Sequence, residues 1–201
     1  MKTLTFFGPM HHFQLLSPIL SVLKARGSEN VVYTANAEAS FESGLQQTIG
    51  SNWEWLPFYN DPKRQEKMYD EALPYFRQLY EKPGVLSYMI APITDRVLRE
   101  VVCDFWATKK LLEKVKPDAC LTLHELNRWG MLLGFWSAVK KIPFFTFQEG
   151  MYYGNPWIYT GHTKYSTSLV WGQAGADKLL ASNADPNKIK IIGHPDLGAR
   201  W

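Results

Sequence analysis

Polar side chains that could do acid–base chemistry follow four short apolar runs of this 201-residue chain. Such runs are typical of buried strands in a parallel sheet. Ligands of open parallel sheets bind at the carboxyl ends of the strands, so these positions are the candidates for a functional site. The four groups are Gly8-Pro9-Met10-His11-His12, His124-Glu125-Leu126-Asn127-Arg128, Gln148-Glu149-Gly150 and Gly193-His194-Pro195-Asp196.

Two adjacent imidazoles, His11 and His12, stand between the first strand and a predicted helix. The preceding Gly8 lets a ligand approach the backbone closely. The positive end of the helix dipole disfavours a charged imidazole, which leaves a neutral base near physiological pH. One of the two histidines is therefore a candidate general base or sugar ligand. Alternatively, the pair caps the helix or binds a backbone carbonyl.

The second and third groups each contain a carboxylate. His124 and Glu125 stand side by side and could share a proton. Glu149 follows the next strand, where Gly150 permits a sharp turn. We therefore expect Glu125 and Glu149 to project from one edge of the sheet as an acid–base pair. The alternative for the second group is a capping loop with Asn127 as the N-cap of the next helix.

Substrate contacts are expected from polar and aromatic residues near the same strand ends. Residues 151–159 are rich in Tyr and Trp, which either stack on sugar rings or cover the edge of the sheet. For the fourth group, a structural turn is the alternative. The predicted substrate-binding residues are Gly8, His124, Asn127, Arg128, Gln148, Gly150, Tyr152 and His194.

Several common site motifs are absent from the sequence. The histidines are spread over separate loops, without an HExxH or a Cys cluster, so no metal site is predicted. Neither GxGxxG nor GxxxxGK[ST] occurs, which excludes nucleotide phosphate binding by those two motifs. A serine nucleophile elbow is absent as well. No cofactor is predicted.

Strand and helix patterns alternate along the whole chain, and this predicts one α/β domain over residues 1–201. Strands joined by helices lie parallel, so the expected fold is a doubly wound, mostly parallel Rossmann-like sheet with helices on both faces. The predicted strands are 3–7, 30–34, 53–58, 119–123, 144–147, 167–171 and 188–192. The two longest predicted helices are 62–80 and 87–116.

The composition indicates an ordinary cytosolic protein. The net charge of +3 is too small to suggest nucleic acid as a partner. Cys103 and Cys120 lie in apolar runs without CxxC spacing, as expected of buried thiols in a reducing compartment. Neither a leader peptide nor an apolar run of about 20 residues is apparent. The aromatic content leaves a peripheral membrane contact open.

The order of the strand-end groups resembles that in the N-terminal domain of a GT-B glycosyltransferase. It is similar, more narrowly, to the UDP-N-acetylglucosamine 2-epimerases, the CDP-glycerol glycerophosphotransferases and the capsule-polysaccharide transferases. Gln148-Glu149-Gly150 resembles the epimerases' His-x-Glu-x-Gly turn, with Gln or Phe in place of His. Gly193 and Pro195 fit the Gly-x-Pro-x-x-Asp of the glycerophosphotransferases, although the position of the Asp holds a different residue.

This resemblance implies a metal-independent, inverting transfer from a nucleotide-activated sugar or polyol donor to a glycan or lipid-linked acceptor. The chain would be the acceptor-binding lobe, and His11, His12 or Glu149 would deprotonate the acceptor. A C-terminal lobe, absent from this chain, would hold most of the nucleotide. Two alternatives remain: an epimerase-like isomerase that uses Glu125 and Glu149 for proton abstraction, and a stand-alone binding module.

Overall fold

The protein is described by a computed structural model. It defines the backbone of residues 1–8, 10–35, 43–46, 49–50, 52–80, 85–123, 125–150 and 163–194. Some helical side chains, including that of His11, lie outside this description.

The described part of the chain contains seven strands and five α-helices of nine or more residues. The strands are β1 (Lys2–Phe7), β2 (Glu29–Thr34), β3 (Trp53–Trp55), β4 (Ala119–Thr122), β5 (Phe144–Phe147), β6 (Thr167–Val170) and β7 (Ile189–Ile191). The helices are α1 (Met10–Ala25), α2 (Pro62–Tyr80), α3 (Val85–Val115), α4 (Arg128–Val139) and α5 (Gln173–Ala181). Short 3-10 helices span Leu56–Tyr59 and Pro186–Lys188.

The strands form one seven-stranded sheet in the order β3-β2-β1-β4-β5-β6-β7. Every described strand pair is parallel. The strands β2 and β3 lie on one side of β1, and β4 to β7 lie on its other side. The predicted Rossmann-like α/β fold is therefore confirmed.

Helices cover both faces of the sheet. Consecutive strand residues point to opposite faces, and Phe6 and Phe7 at the end of β1 show which helix lies on each. Phe7 packs in a buried cluster with Leu16 and Leu20 of α1. The ring of Phe6 stacks instead on Trp129 of α4, with ring centres 5.3 Å apart. The polar residues after β1 therefore lie between helices of opposite faces.

The helix α1 ends at a glycine. Gly27 adopts a φ of +80°, a left-handed conformation that glycine adopts without a steric penalty. Its N–H donates to the carbonyl of Lys24, and the N–H of Ser28 donates to that of Leu23. These two bonds form a Schellman motif, which turns the chain directly into β2.

A buried amide ties the first two strands to α1. The Oδ1 of Asn30 accepts a hydrogen bond of 2.7 Å from the hydroxyl of Thr3, and its Nδ2 donates to the Leu20 carbonyl at 2.7 Å. The amide is satisfied at both ends, so its burial fixes the register of β1, β2 and the helix between them.

The chain groups into two compact units, one formed by Met1–Trp55 with Lys114–Trp201 and one by Leu56–Glu113. The first contains the sheet. The second is helical, and its core is built on Tyr69, Leu98 and Val102. The single domain expected over residues 1–201 stays a prediction.

Among the residues described, no helix is long and apolar enough to cross a bilayer.

Candidate functional site

The carboxyl ends of β1, β4 and β5 form the edge at which a site is expected. The strand order reverses between β1 and β4, and a crevice opens at such a switch point in doubly wound sheets. The first three polar groups predicted from the sequence follow these three strands. In the structure, some side chains of these three groups face one another, whereas others form hydrogen bonds with the backbone.

His12 folds back over the end of β1. Its Nδ1 accepts a hydrogen bond of 3.2 Å from the N–H of Gly8, and its ring lies edge-on to Phe6 with centres 6.4 Å apart. A Cβ on residue 8 would lie 3.1 Å from His12 Cε1, so a larger residue would have to displace the ring by a few tenths of an ångström. Gly8 thus positions the imidazole, and the ring is 2% exposed.

The other ring nitrogen of His12 faces Glu149. Nε2 lies 3.7 Å from the Glu149 carboxylate, which is 30% exposed. Because Nδ1 accepts from the Gly8 N–H, we assign the proton of the neutral ring to Nε2, on the side of the carboxylate. The structure therefore brings together one predicted imidazole and one predicted carboxylate, and the carboxylate is the member that reaches solvent.

Glu125 is oriented differently from the expected acid–base pair. Its Oε1 accepts a 2.7 Å bond from the N–H of Tyr165, and its Oε2 accepts from the N–H of Ser166 at 3.1 Å and from its hydroxyl at 2.5 Å. Both carboxylate oxygens of Glu125 are thus engaged by residues that precede β6, whereas the carboxylate of Glu149 faces His12. Glu125, 1% exposed, anchors the start of β6.

The Glu125 anchor continues into a buried network of hydroxyl groups that was not predicted from the sequence. The Ser166 hydroxyl lies 3.2 Å from that of Thr146, which lies 3.1 Å from that of Ser168. Both β5 and β6 contribute to it. Isolated Ser and Thr residues within apolar strands give no signal of such a network, because their partners are distant in the sequence.

Gln148 is also engaged with the backbone. It is buried; its Oε1 accepts from the N–H of Trp171 at 2.8 Å, and its Nε2 donates to the carbonyl of Gly150 at 2.8 Å. Position 150 has room for a larger side chain than that of glycine, since nothing lies within 4 Å of a Cβ built there. Its predicted role in a sharp turn has no steric support.

Residues at the start of α4 cap the helix and stack on the aromatic ring of Phe6. Asn127 Oδ1 accepts a 2.6 Å bond from the N–H of Gly130, which is the N-cap that the sequence analysis offered as the alternative. The guanidinium of Arg128 lies 4.7 Å from the centre of the Trp129 ring, and that ring stacks on Phe6. Trp129 was not among the predicted site residues, although it directly follows the polar group.

Of the fourth group, the structure describes Gly193 and His194, which follow β7. Gly193 adopts a φ of +83°, which favours glycine, and His194 packs on Trp171 with ring centres 4.1 Å apart. The remaining candidates, His124, Tyr152 and the side chain of His11, lie outside the described residues. Within the described part of the chain, no cluster of three or more His, Cys, Asp or Glu side chains could hold a metal ion.

Comparison with known proteins identifies the fold. No protein-family model matches the sequence, and no curated protein sequence matches it either. Solved structures do match. UDP-GlcNAc 2-epimerase from Neisseria meningitidis, bound to UDP-GlcNAc, has a TM-score of 0.58 at 15% identity, over 97% of this chain and 47% of that one.

Two further structures match to the same extent. A putative UDP-N-acetylglucosamine 2-epimerase from Listeria monocytogenes has a TM-score of 0.59 at 10% identity, over 96% of this chain and 45% of that one. MurG from Acinetobacter baumannii has a TM-score of 0.55 at 10% identity, with coverages of 96% and 45%. The chain has the fold of a GT-B lobe. The resemblance predicted from the sequence is confirmed at the level of fold, and the chain spans less than half the length of these structures.

Proposed function

We propose that this chain is the acceptor-binding lobe of a metal-independent GT-B transferase, in which Glu149 takes the proton of the acceptor hydroxyl. The donor is a nucleotide-activated sugar or polyol, and the acceptor is a glycan or a lipid-linked glycan. The observation that carries the proposal is the pairing of His12 with Glu149 at the switch-point edge. The fold shared with UDP-sugar enzymes supports the class of donor.

The division of roles follows from exposure. His12 is almost fully buried and its Nδ1 is engaged by Gly8, so it is poorly placed to meet an acceptor. Glu149 keeps a solvent-facing carboxylate that can accept a proton from a hydroxyl group, with the imidazole orienting it from behind. Glu149 is therefore the base, and His12 is its partner.

The reaction is a single displacement, at the anomeric carbon of a sugar donor or at the polyol-bearing phosphorus of a polyol donor. As the acceptor oxygen bonds to that atom, the bond from it to the phosphate oxygen of the nucleotide breaks, and the nucleotide leaves with the bonding electrons. The acceptor proton passes to Glu149. We place the groups that neutralise the leaving nucleotide on a second lobe, as the resemblance to GT-B enzymes implies; this chain covers less than half of the structures that it matches.

The orientation of Glu125 favours transfer over isomerisation. An isomerase of the predicted kind would use Glu125 and Glu149 together, yet the carboxylate oxygens of Glu125 accept bonds from Tyr165 and Ser166. A transferase needs only one base at the edge. As part of the same proposal, the transferase acts in the assembly of cell-surface polysaccharide. It works in the cytosol and makes a peripheral contact with the membrane.

The experiment compares nucleotide release with solvent exchange. The chain, alone and mixed with a separately expressed nucleotide-binding lobe, is incubated in D₂O with UDP-GlcNAc or CDP-glycerol, with and without a glycan acceptor. The proposal expects acceptor-dependent release of nucleotide and no deuterium in the sugar. Acceptor-independent incorporation of deuterium at the sugar C2 would establish the isomerase instead. Binding of the nucleotide donor without either reaction would favour the hypothesis of a stand-alone binding module.

Two variants identify the base. Glu149→Gln should lower the rate of nucleotide release by about a hundredfold, a typical contribution of a general base. Glu29→Gln is the matched control, because Glu29 begins β2 at the opposite edge and pairs with Lys2. Equal rates in the two variants would remove Glu149 from the reaction.

A further inference from the structure

We infer that Gln148 is the positioning residue of the site: its side-chain amide sets the location of Glu149 relative to His12. This inference rests on the proposed role of Glu149. Gln148 was predicted to bind substrate, but its hydrogen bonds within the described part of the chain are all with the protein backbone, and its amide lies against α5. None of these contacts is made by Glu149 itself, so the two residues can be varied separately.

The backbone on both sides of Glu149 is held through Gln148. On the near side, the N–H of Gln148 donates to the Leu169 carbonyl at 3.0 Å, and its Oε1 accepts from the Trp171 N–H at 2.8 Å. On the far side, its Nε2 donates to the Gly150 carbonyl at 2.8 Å. One side chain therefore closes a ring around residue 149 and fastens that ring to the end of β6.

Helix α5 closes the remaining space around the amide. A Cβ on Gly175 would lie 2.7 Å from Gln148 Oε1 and 3.4 Å from its Cδ. Real Cβ atoms essentially never approach so closely, so an alanine at this position must displace the amide. Gly172, three residues earlier, has nothing within 4 Å of such a Cβ and an extended backbone with a φ of −170°.

A rigid support of this kind has a direct effect on catalysis. A displacement of about 1 Å in a catalytic group can cost about a hundredfold in rate. The distance between Glu149 and His12 Nε2, 3.7 Å, allows little drift before the contact is lost. Through the amide of Gln148, the packing of α5 and of the ends of β5 and β6 determines how Glu149 lies relative to His12.

The test measures the coupling between Glu149 and His12 without relying on turnover. NMR records the pH at which the His12 ring titrates, with and without Glu149→Gln, in four backgrounds: wild type, Gln148→Met, Gly175→Ala and Gly172→Ala. In the wild type, loss of the carboxylate should lower that pH by about one unit. We expect the same decrease with Gly172→Ala, and less than about 0.3 unit with Gln148→Met or Gly175→Ala.

Two displacing variants keep the test decisive if one of them does not fold, since Gly175→Ala moves the amide without removing it. A full coupling of about one unit in a folded Gln148→Met or Gly175→Ala protein would overturn the inference. In the turnover assay, both variants should lower kcat by about tenfold to a hundredfold with KM within about twofold. A Glu149→Gln protein with a normal rate would refute the proposed function, while loss of coupling in the Gln148 variant would still support the positioning role.

Discussion

Replacing Glu125 by glutamine should destabilise the fold, whereas the same change at Glu149 should not. The buried carboxylate of Glu125 accepts three hydrogen bonds, from the N–H of Tyr165 and from the N–H and hydroxyl of Ser166. An amide has one acceptor oxygen, so its NH₂ group must face one of the two backbone N–H donors. That donor is buried without an acceptor, and the remaining bonds lose their charge assistance.

The cost is estimated from these changes. An unsatisfied buried donor costs about 1–3 kcal/mol, and bonds to a charged acceptor are worth about 1.5–3 kcal/mol each before replacement by a neutral one. We expect a total of about 3 kcal/mol for Glu125→Gln, or a decrease in Tm of about 6–12 °C for a chain of this size. Glu149 is partly exposed, and Glu149→Gln should cost about 0.5 kcal/mol or less.

Thermal and urea unfolding of the wild type and the two variants, followed by circular dichroism, measure the difference. The expected order of Tm is wild type, then Glu149→Gln within about 2 °C, then Glu125→Gln well below both. Equal Tm values for the two variants would show that Glu125 does not anchor the start of β6. The division between a structural carboxylate and a reactive one would then be wrong.

Three further changes test the support of the site and of the sheet. Gly8→Ala places a Cβ 3.1 Å from His12 Cε1 and should lower turnover by about tenfold, with a changed ¹⁵N shift of the ring Nδ1 in NMR; an unshifted ring would contradict the contact. Asn30→Ala leaves two buried partners without their hydrogen bonds and should cost about 2 kcal/mol in urea unfolding, and a wild-type midpoint would refute its role. Burial raises the pKa of the Cys120 thiol to about 12, so at pH 8 iodoacetamide should modify the partly exposed Cys103 first. Rapid labelling of Cys120 in the native state would contradict its burial. The stabilisation of the fold by the neutral Cys120 thiol should be complete below pH 9.0 and lost as the pH rises towards 12.

The fold could be predicted because its signals are local. The apolar runs that become β1, β4 and β5 end at Gly8-Pro9, at the polar group after Leu123 and at Gln148, and the structure ends these strands within one residue of the predicted positions. Gly27 marks the end of α1 through a conformation that few other residues adopt. Parallel pairing follows where a helix connects successive strands, as α1 does between β1 and β2.

The site could be predicted only in part, because side-chain direction depends on distant partners. The position of Glu149 after β5 was predictable from the apolar run that precedes it. The direction of Glu125 was not, since its partners Tyr165 and Ser166 lie 40 and 41 residues away. Neither was the role of Gln148, whose contact with Gly175 depends on how closely α5 packs against the ends of β5 and β6.

The pairing of His12 with Glu149 is the claim on which the proposed chemistry depends, and an NMR titration of the His12 ring in the wild type and in Glu149→Gln tests it most directly. With the carboxylate 3.7 Å from Nε2, its removal should lower the pH of titration by about one unit, and the control Glu29→Gln should leave it unchanged. A His12 titration that is the same in all three proteins would contradict the pairing.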